Sequence, residues 1–344
     1  MSDAPKLKVM LAGIGGASLG TELLKCLTLA GRYEVFGCDV SPVAYGLYDP
    51  AFSRTFLAQP HRYVPSVIDA CRAADARWLV PGGEQPMVLL GAASATLAAA
   101  GITLIGNLPE VVATYSDKSK TFEALTGLGF TVPRTTEVKR AEDLASIGMP
   151  CIIKPSTGSG GSSMVFFAVD AEEAMTYAEY IRRSGGTPLG QEYISPEEGE
   201  FTVGVLTLPD GALAGSIALR RSLDAKLSVM SRGRLGVVSS GYSQGYIGDF
   251  PKIRARAEAI AKAVGSRGAI NIQGRVRGGE LIPFEINPRL SASTYLRALA
   301  GFNEVDILLQ HGAFGFAPAP ANIREGWYLR SLTERFVAPE GLQS

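Results

Sequence analysis

The residues best suited to chemistry lie between Gly268 and Thr294. Ile270, Ile272 and Val276 alternate with Asn271, Gln273, Arg275 and Arg277; after Gly278-Gly279, Ile282, Phe284 and Ile286 alternate with Glu285 and Asn287. A period of two predicts paired strands, and two glycines supply the positive φ that tight hairpin loops need. A two-residue loop would set Gln273 opposite Phe284 and mix the faces. A three-residue loop, Gly278 to Glu280, sets Gln273 opposite Glu285, Asn271 opposite Asn287, Ile272 opposite Ile286 and Val276 opposite Ile282. Burying one uniform face rewards this second register. The other face is then a row of amide and carboxylate oxygens, Gln273, Glu285 and Asn287, running into Pro288-Arg289. Such oxygen donors suit magnesium. Taken alone, the pattern favours an ordinary amphipathic hairpin with a solvated polar face.

A second group of chemistry-bearing residues lies upstream. Pro150 to Lys154 reads as an apolar strand ending in a lysine, followed by a Gly/Ser loop through Ser159, Gly160, Gly161 and Ser162, and a return strand from Met164 to Ala168. The loop enters no helix and lacks the GKS/T ending, so it is no P-loop. Its unobstructed N–H groups can still fold over phosphates, with Lys154 as a point charge at its root. Ser116-Asp117-Lys118 opens a helix with a capping acid. Gln191-Glu192-Tyr193-Ile194 and Gly199-Glu200-Phe201 place two acids around a loop, where a purine and a ribose could be read; Glu197 and Glu198 read as solvated charges.

The elements that must position these groups follow from the chain order. Residues 6 to 105 alternate strands (Leu7 to Ala12, Tyr33 to Cys38, Arg77 to Val80, Ile102 to Ile105) with helical stretches, which predicts a parallel, doubly wound sheet. Gly13, Gly15, Gly16 and Gly20, with Asp39 downstream, approximate a dinucleotide fingerprint, but Ser18 stands where a glycine is expected. A strand-to-helix turn that needs glycine explains the same residues. Residues 212–221 read as a strand ending in Arg220-Arg221, and residues 222–248 as a long, partly ordered Gly/Ser/Arg-rich segment. A strand is allowed at Tyr328 to Leu332.

Bulk properties exclude several classes. A chain of 344 residues suggests two or three domains, and 46% hydrophobic with 19% charged residues describes a globular protein. Lys+Arg and Asp+Glu are equal at 33 each, so no net field draws nucleic acid or an anionic membrane. Cys26, Cys38, Cys71 and Cys151 show no paired spacing and read as buried thiols. His61 and His311 stand apart from other candidates, against histidine triads and zinc sites. The N-terminus shows no apolar run suited to a signal peptide or a membrane span, so a cytoplasmic protein is expected.

Asp117-Lys118, Ile152-Ile153-Lys154-Pro155 with its Gly/Ser loop, Glu192-Tyr193-Ile194, Gly199-Glu200-Phe201-Thr202, and Gln273 with Glu285-Ile286-Asn287-Pro288-Arg289 succeed one another in a distinctive order. The chain resembles the ATP-grasp superfamily, in the branch similar to one synthetase unit of the carbamoyl phosphate synthase large subunit, over residues 1 to about 315. The resemblance implies an α/β and α+β protein: a Rossmann-like N-terminal domain (1–110), a small ATP-grasp lobe (111–187), a large lobe (188–330) and a tail (331–344). It implies ATP with magnesium, or manganese. Lys118, Lys154 and the loop would hold phosphates, Glu192, Tyr193 and Ile194 the adenine, and Glu200 the ribose. Gln273, Glu285 and Asn287 would bind metal, with Arg289 and Lys154 as catalytic cations.

Single-unit relatives usually activate a carboxylate as an acyl phosphate for attack by an amine, and that ADP-forming ligase reaction is the expected function. Small-molecule carboxylate and amine partners are expected, in a chain that can form a homodimer. Arg220, Arg221, Arg232, Arg234 and Glu84 are substrate candidates, with at most one of the arginines expected to pair with a carboxylate. Two alternatives remain open at this point: an NAD-dependent oxidoreductase on residues 1–105, and a carbamoyl-phosphate-type kinase acting on bicarbonate or carbamate.

Overall fold

The structure, a computed structural model, describes residues 6–16, 19–157, 164–233, 236–319 and 321–343. The N-terminal part contains β1 (Leu7–Ala12), α1 (Leu19–Ala30), β2 (Tyr33–Asp39), β3 (Arg54–Leu57), α2 (Tyr63–Ala73), β4 (Trp78–Pro81), α3 (Glu84–Ala92), α4 (Ser94–Ala99) and β5 (Thr103–Leu104). Its five strands pair in parallel in the order β3-β2-β1-β4-β5. The central β1 is apolar on both faces, with Val9, Met10, Leu11 and Ala12 all fully buried, as a parallel strand covered by helices on both sides must be. The sequence pattern missed β3, a four-residue edge strand too short for a period to show.

Helices α5 (Pro109–Tyr115) and α6 (Lys118–Gly127) lead into a four-stranded sheet. It is built from β6 (Thr135–Glu137), β7 (Cys151–Pro155), β8 (Phe166–Ala168) and, beyond α7 (Ala171–Arg183), β9 (Pro188–Glu192). Asp117 caps α6: its Oδ1 accepts from the N–H groups of Ser119 (2.9 Å) and Lys120 (3.3 Å). A cap of this type stabilises a helix by about 1 kcal/mol, and here it fixes where Lys118 begins. Because β9 pairs with both β6 and β7, the smaller sheet runs past the boundary expected at residue 187. This lobe has its own apolar core, including Val138, Leu144, Ile153, Ala174 and Ile181.

The largest sheet has six strands in the order β16-β15-β10-β11-β14-β17. Its members are β10 (Glu200–Thr207), β11 (Leu213–Arg221), β14 (Gly245–Ile247), β15 (Ala269–Arg277), β16 (Glu280–Asn287) and β17 (Gly326–Tyr328), with α8 (Pro251–Ala263) packed on β10, β11 and β16. The described residues of the segment 222–248 hold more regular structure than its composition suggests. They include a two-stranded hairpin, β12 (Val229–Arg232) with β13 (Val237–Ser239), besides β14. Helices α9 (Thr294–Leu299) and α10 (Glu304–Phe314) pack on α1. One core therefore runs from β1 and α1 into Leu296, Phe302, Val305 and Leu309. All four cysteines are free and buried.

The β15–β16 hairpin uses both of the registers considered above. At its base Asn271 faces Asn287, Ile272 faces Ile286 and Gln273 faces Glu285, as the three-residue loop requires. At its tip Arg277 faces Glu280 and Val276 faces Leu281 across a two-residue turn, Gly278-Gly279, both glycines at positive φ. The expected pairing of Val276 with Ile282 is therefore corrected. A β-bulge between the two halves leaves Phe284 without a cross-strand partner. Leu281 consequently joins Val276 and Ile286 in the core, while Ile282 moves opposite Arg275. Pro283 is tolerated beside the bulge because β16 is the sheet edge.

Candidate active site

The four-stranded and six-stranded sheets and the N-terminal part meet around a cavity of about 420 Å³. Ile152, Val165, Tyr193, Ile194, Met230 and Val237 give it apolar wall. Lys118, Lys154, Gln273, Glu285 and Asn287 give it charged and polar wall. Arg289, Glu84, Gly82, Gly83 and the serines 239, 240, 243, 291 and 293 also line it.

Lys154 ends β7 and is almost fully buried. Its Nζ donates to Gln191 Oε1 (2.8 Å) and to the Phe284 carbonyl (3.2 Å), and sits 5.2 Å from the Phe122 ring centroid. The bulge frees that carbonyl from the strand ladder and presents it to the lysine. Burial, then the neighbouring Lys118 charge, pulls the ammonium down to about 7, with Glu285 opposing. Lys118 is placed by the α6 cap, and its N–H donates to the Ser156 carbonyl where the Gly/Ser loop begins (3.0 Å).

Gln273 and Glu285 point to the same side: Gln273 Nε2 donates to Glu285 Oε2 at 3.1 Å. Asn287 Oδ1 accepts from Arg289 Nη2 (3.1 Å), and Arg289 Nη1 donates to the Leu290 carbonyl (3.0 Å). Burial lowers the Arg289 guanidinium from its usual range, and Glu84 and Glu285 work against that. Behind this row Arg297 is fully buried and donates to Asn271 Oδ1, Thr202 Oγ1 and Glu304. Asn271 and Thr202 also line the cavity.

Glu192 lines the cavity and pairs with Arg277 (2.7 Å) and Arg134 (3.3 Å). Burial tends to raise its carboxyl, but the Arg134 N–H and the two guanidinium groups outweigh it and hold it below the usual range. Tyr193 accepts the Val237 N–H (3.0 Å) and stacks its ring over the Arg275 guanidinium.

Glu200 is placed differently from its expected ribose contact. Its side chain is fully buried between Arg221 (3.2 Å) and Arg275 (2.8 Å), outside the cavity lining. Burial would raise its carboxyl, and the two arginines more than offset that. Both arginines then read loop carbonyls. Arg221 Nη2 donates to Ser228 (3.2 Å), Ser240 (2.8 Å) and Tyr242 (2.9 Å), and Nη1 to Gln273 Oε1 (3.4 Å). Arg275 donates to the carbonyls of Ile194 (2.7 Å) and Val237 (2.8 Å). Arg221 thus fastens the 222–244 segment to the hairpin, which leaves it unsuited to the substrate role expected for it. Arg220 is exposed and lines no part of the cavity. Glu198, read as a solvated charge, accepts the N–H groups of Gly278 and Gly279 at 2.9 Å each.

The Gly/Ser loop residues Ser159, Gly160, Gly161 and Ser162 lie outside the described residues, as does Arg234; of Arg232 the backbone alone is described. Gln191, Arg275 and Asn271 belong to the site or its support and were not singled out from the sequence. The alternation that marked Gln273 was the available signal for the latter two. The glycines after β1 are used for packing. A Cβ on Gly13 would lie 2.8 Å from Pro86 Cγ, and one on Gly20 or Gly82 would collide with the Gly13 carbonyl. Asp39 Oδ2 accepts the Ile14 N–H (2.7 Å). The turn thus closes on the protein itself, which removes the main support for a dinucleotide site.

Residues 115–293, more than half of the chain, match the ATP-grasp domain family. The chain belongs to the ATP-grasp family. It is 28% identical over 214 residues to the carbamoyl phosphate synthase large chain of Streptomyces avermitilis, a match covering 61% of this chain and 19% of that one. The matched region is thus about a fifth of the length of that relative. Among solved structures, the fold is similar to a biotin carboxylase–β,γ-ATP complex from Campylobacter jejuni (TM-score 0.65, 19% identity, 90% of this chain and 71% of that chain). It is also similar to an L-amino acid ligase from Bacillus licheniformis (TM-score 0.63, 15% identity, 90% and 74%). The fold is a parallel N-terminal sheet followed by antiparallel sheets, as the resemblance implies.

Proposed function

We propose that the chain is an ATP-dependent, ADP-forming ligase that activates a small-molecule carboxylate as an acyl phosphate for attack by an amine. The observation that carries this reading is one cavity in which Lys118, Lys154, Glu285, Asn287 and Arg289 converge beside apolar walls. Adenine fits the Tyr193–Ile194 wall and phosphates the lysines. Glu285 offers carboxylate oxygens, and Gln273 and Asn287 amide oxygens that now accept from Arg221 and Arg289, a donor set that suits magnesium and also manganese. The described residues hold no group of three or more His, Cys, Asp or Glu that could bind a metal alone, so phosphate oxygens and water must complete the coordination. Held by Gln273, Glu285 and Asn287, such an ion would supply positive charge that offsets the phosphate charge.

This chain's own residues do the positioning. Lys154 and Lys118 hold the phosphates, Arg289 stands where charge develops, and the lining serines with Glu84 receive the substrates. The reading takes the enzyme as cytoplasmic and able to form a homodimer through its first or last domain. Screening paired carboxylates and amines for magnesium-dependent ADP and phosphate release tests the reading. Formation of AMP and pyrophosphate would overturn it. Phosphorylation of carbamate without any amine would favour the carbamoyl-phosphate-type kinase reading that the curated relatives bring to mind.

A further inference from the structure

A second cavity, of about 260 Å³, opens at the carboxyl end of the parallel sheet, where the strand order turns back at β1. Open α/β sheets bind ligands at this kind of crevice. Its chemistry is specific. Asp39 Oδ2 and Oδ1 each accept one backbone N–H, from Ile14 (2.7 Å) and Ser41 (3.0 Å), and the carboxylate forms no ion pair among the described residues. The Tyr63 hydroxyl is buried without a hydrogen-bond partner among them. A buried polar group left unpaired costs roughly 1–3 kcal/mol. Burial, then the nearby Cys38 and Asp39, pushes that phenol well above its usual range, so it stays neutral and its oxygen can accept a hydrogen bond. Val40, Pro86 and Leu89 add apolar wall.

The two cavities share Gly82 and Gly83, and the first turn of α3 separates them, with Glu84 on the first and Gln85 on the second. We propose that the second cavity binds the amine acceptor through a further hydrogen-bond donor, ammonium or hydroxyl, that the acceptor carries away from its reacting nitrogen. This rests on the ligase reading above. The distal donor meets the Asp39 carboxylate and the Tyr63 oxygen, the carbon chain lies against Val40 and Leu89, and the reacting nitrogen passes along the Gly82-Gly83 backbone that lines both cavities. That nitrogen forms the C–N bond with the acyl carbon. The C–O bond to phosphate breaks and its electron pair leaves with the phosphate. The proton shed by the nitrogen passes to Glu84, which has no hydrogen-bond or ion-pair partner among the described residues.

Hydroxylamine separates the two steps, because it traps an acyl phosphate as a hydroxamate without needing the acceptor cavity. Short-chain diamines, amino alcohols and matching monoamines are then compared as acceptors in ADP release. Diamines and amino alcohols should show KM values at least about tenfold below those of the monoamines, the worth of one hydrogen bond to a charged group. Leu89→Trp, which fills the cavity, should raise those KM values about tenfold or more and leave hydroxamate formation and the KM for ATP unchanged. Val40→Phe, on another wall, gives the same reading if Leu89→Trp fails to fold. Asp39→Asn should raise the KM of the diamines more than that of the amino alcohols. Equal KM values for diamines and monoamines, failure of both donor-bearing classes as acceptors, or unchanged acceptor KM in a folded filled variant would each overturn the inference while hydroxamate still forms. No hydroxamate from the unaltered enzyme with any carboxylate would instead overturn the ligase reading.

Discussion

At the scale of single residues, Lys154 makes the most direct claim. Its ammonium titrates near 7 in the folded protein, against 10.5 ordinarily. Above pH 7 the free protein therefore holds this lysine largely neutral, and a bound polyphosphate must recharge it. Nucleotide binding should take up a proton between about pH 7 and 10, with affinity falling as pH rises through that window. Calorimetry of ATP binding in buffers of different ionisation heat checks the sign; proton release would contradict it. The same shift bears on stability. Below pH 7 both folded and unfolded chains carry the charge and the burial penalty is in full force. Between 7 and 10.5 the folded protein binds fewer protons, so stability attributable to this group rises with pH. Glu285 offers a simpler test. Glu285→Ala should lower ADP release by on the order of a hundredfold or more, with a melting curve close to that of the unaltered protein.

Elements explain what single residues cannot. Glu200 shows how far the sequence could be read. An acid after a loop looks the same whether it faces a ribose or is clamped by two arginines, and Arg221 and Arg275 are distant along the chain. Their convergence exists only once β10 lies between β11 and β15. Removing one partner of such a buried network costs about 3–5 kcal/mol. Glu200→Ala should therefore lower the urea midpoint strongly and disorder the 222–244 segment, as read by hydrogen exchange. The oxygen row on β15 and β16 was legible because burial of the opposite face fixes its register. The bulge was not, since Phe284 is compatible with either register until Lys154 claims its carbonyl. The β12–β13 hairpin was hidden for a similar reason: its Gly/Ser/Arg composition is that of a loop, and Arg221 supplies its anchors from outside. Gly204 in β10 carries a related prediction. A Cβ there would collide with Arg297 and Glu304, so Gly204→Ala should destabilise by about 1–3 kcal/mol, measured by denaturant unfolding.

Across the whole molecule, cores are distributed unevenly. The N-terminal part shares one core with α9 and α10, whereas the small lobe keeps its own. Arg330 and the tail reinforce the first union. Arg330 bonds Glu22 of α1 (3.2 Å) and the Ala292 carbonyl beside the cavity, and Gln343 reaches Tyr48 and Thr55. Arg330→Ala should lower the melting midpoint by on the order of 5 °C, because it leaves the buried Glu22 carboxylate with Lys25 alone (2.8 Å) and removes the bond to Ala292. The buried thiols carry one more consequence. Burial raises Cys26, Cys38, Cys71 and Cys151 alike, leaving them poor nucleophiles as well as inaccessible. A maleimide dye would therefore find no native target. Cysteines placed at the exposed Tyr180 and Leu213 would be the only labelled positions, and energy transfer between two dyes there would follow the small lobe against the large one, turnover by turnover, in a protein otherwise unaltered.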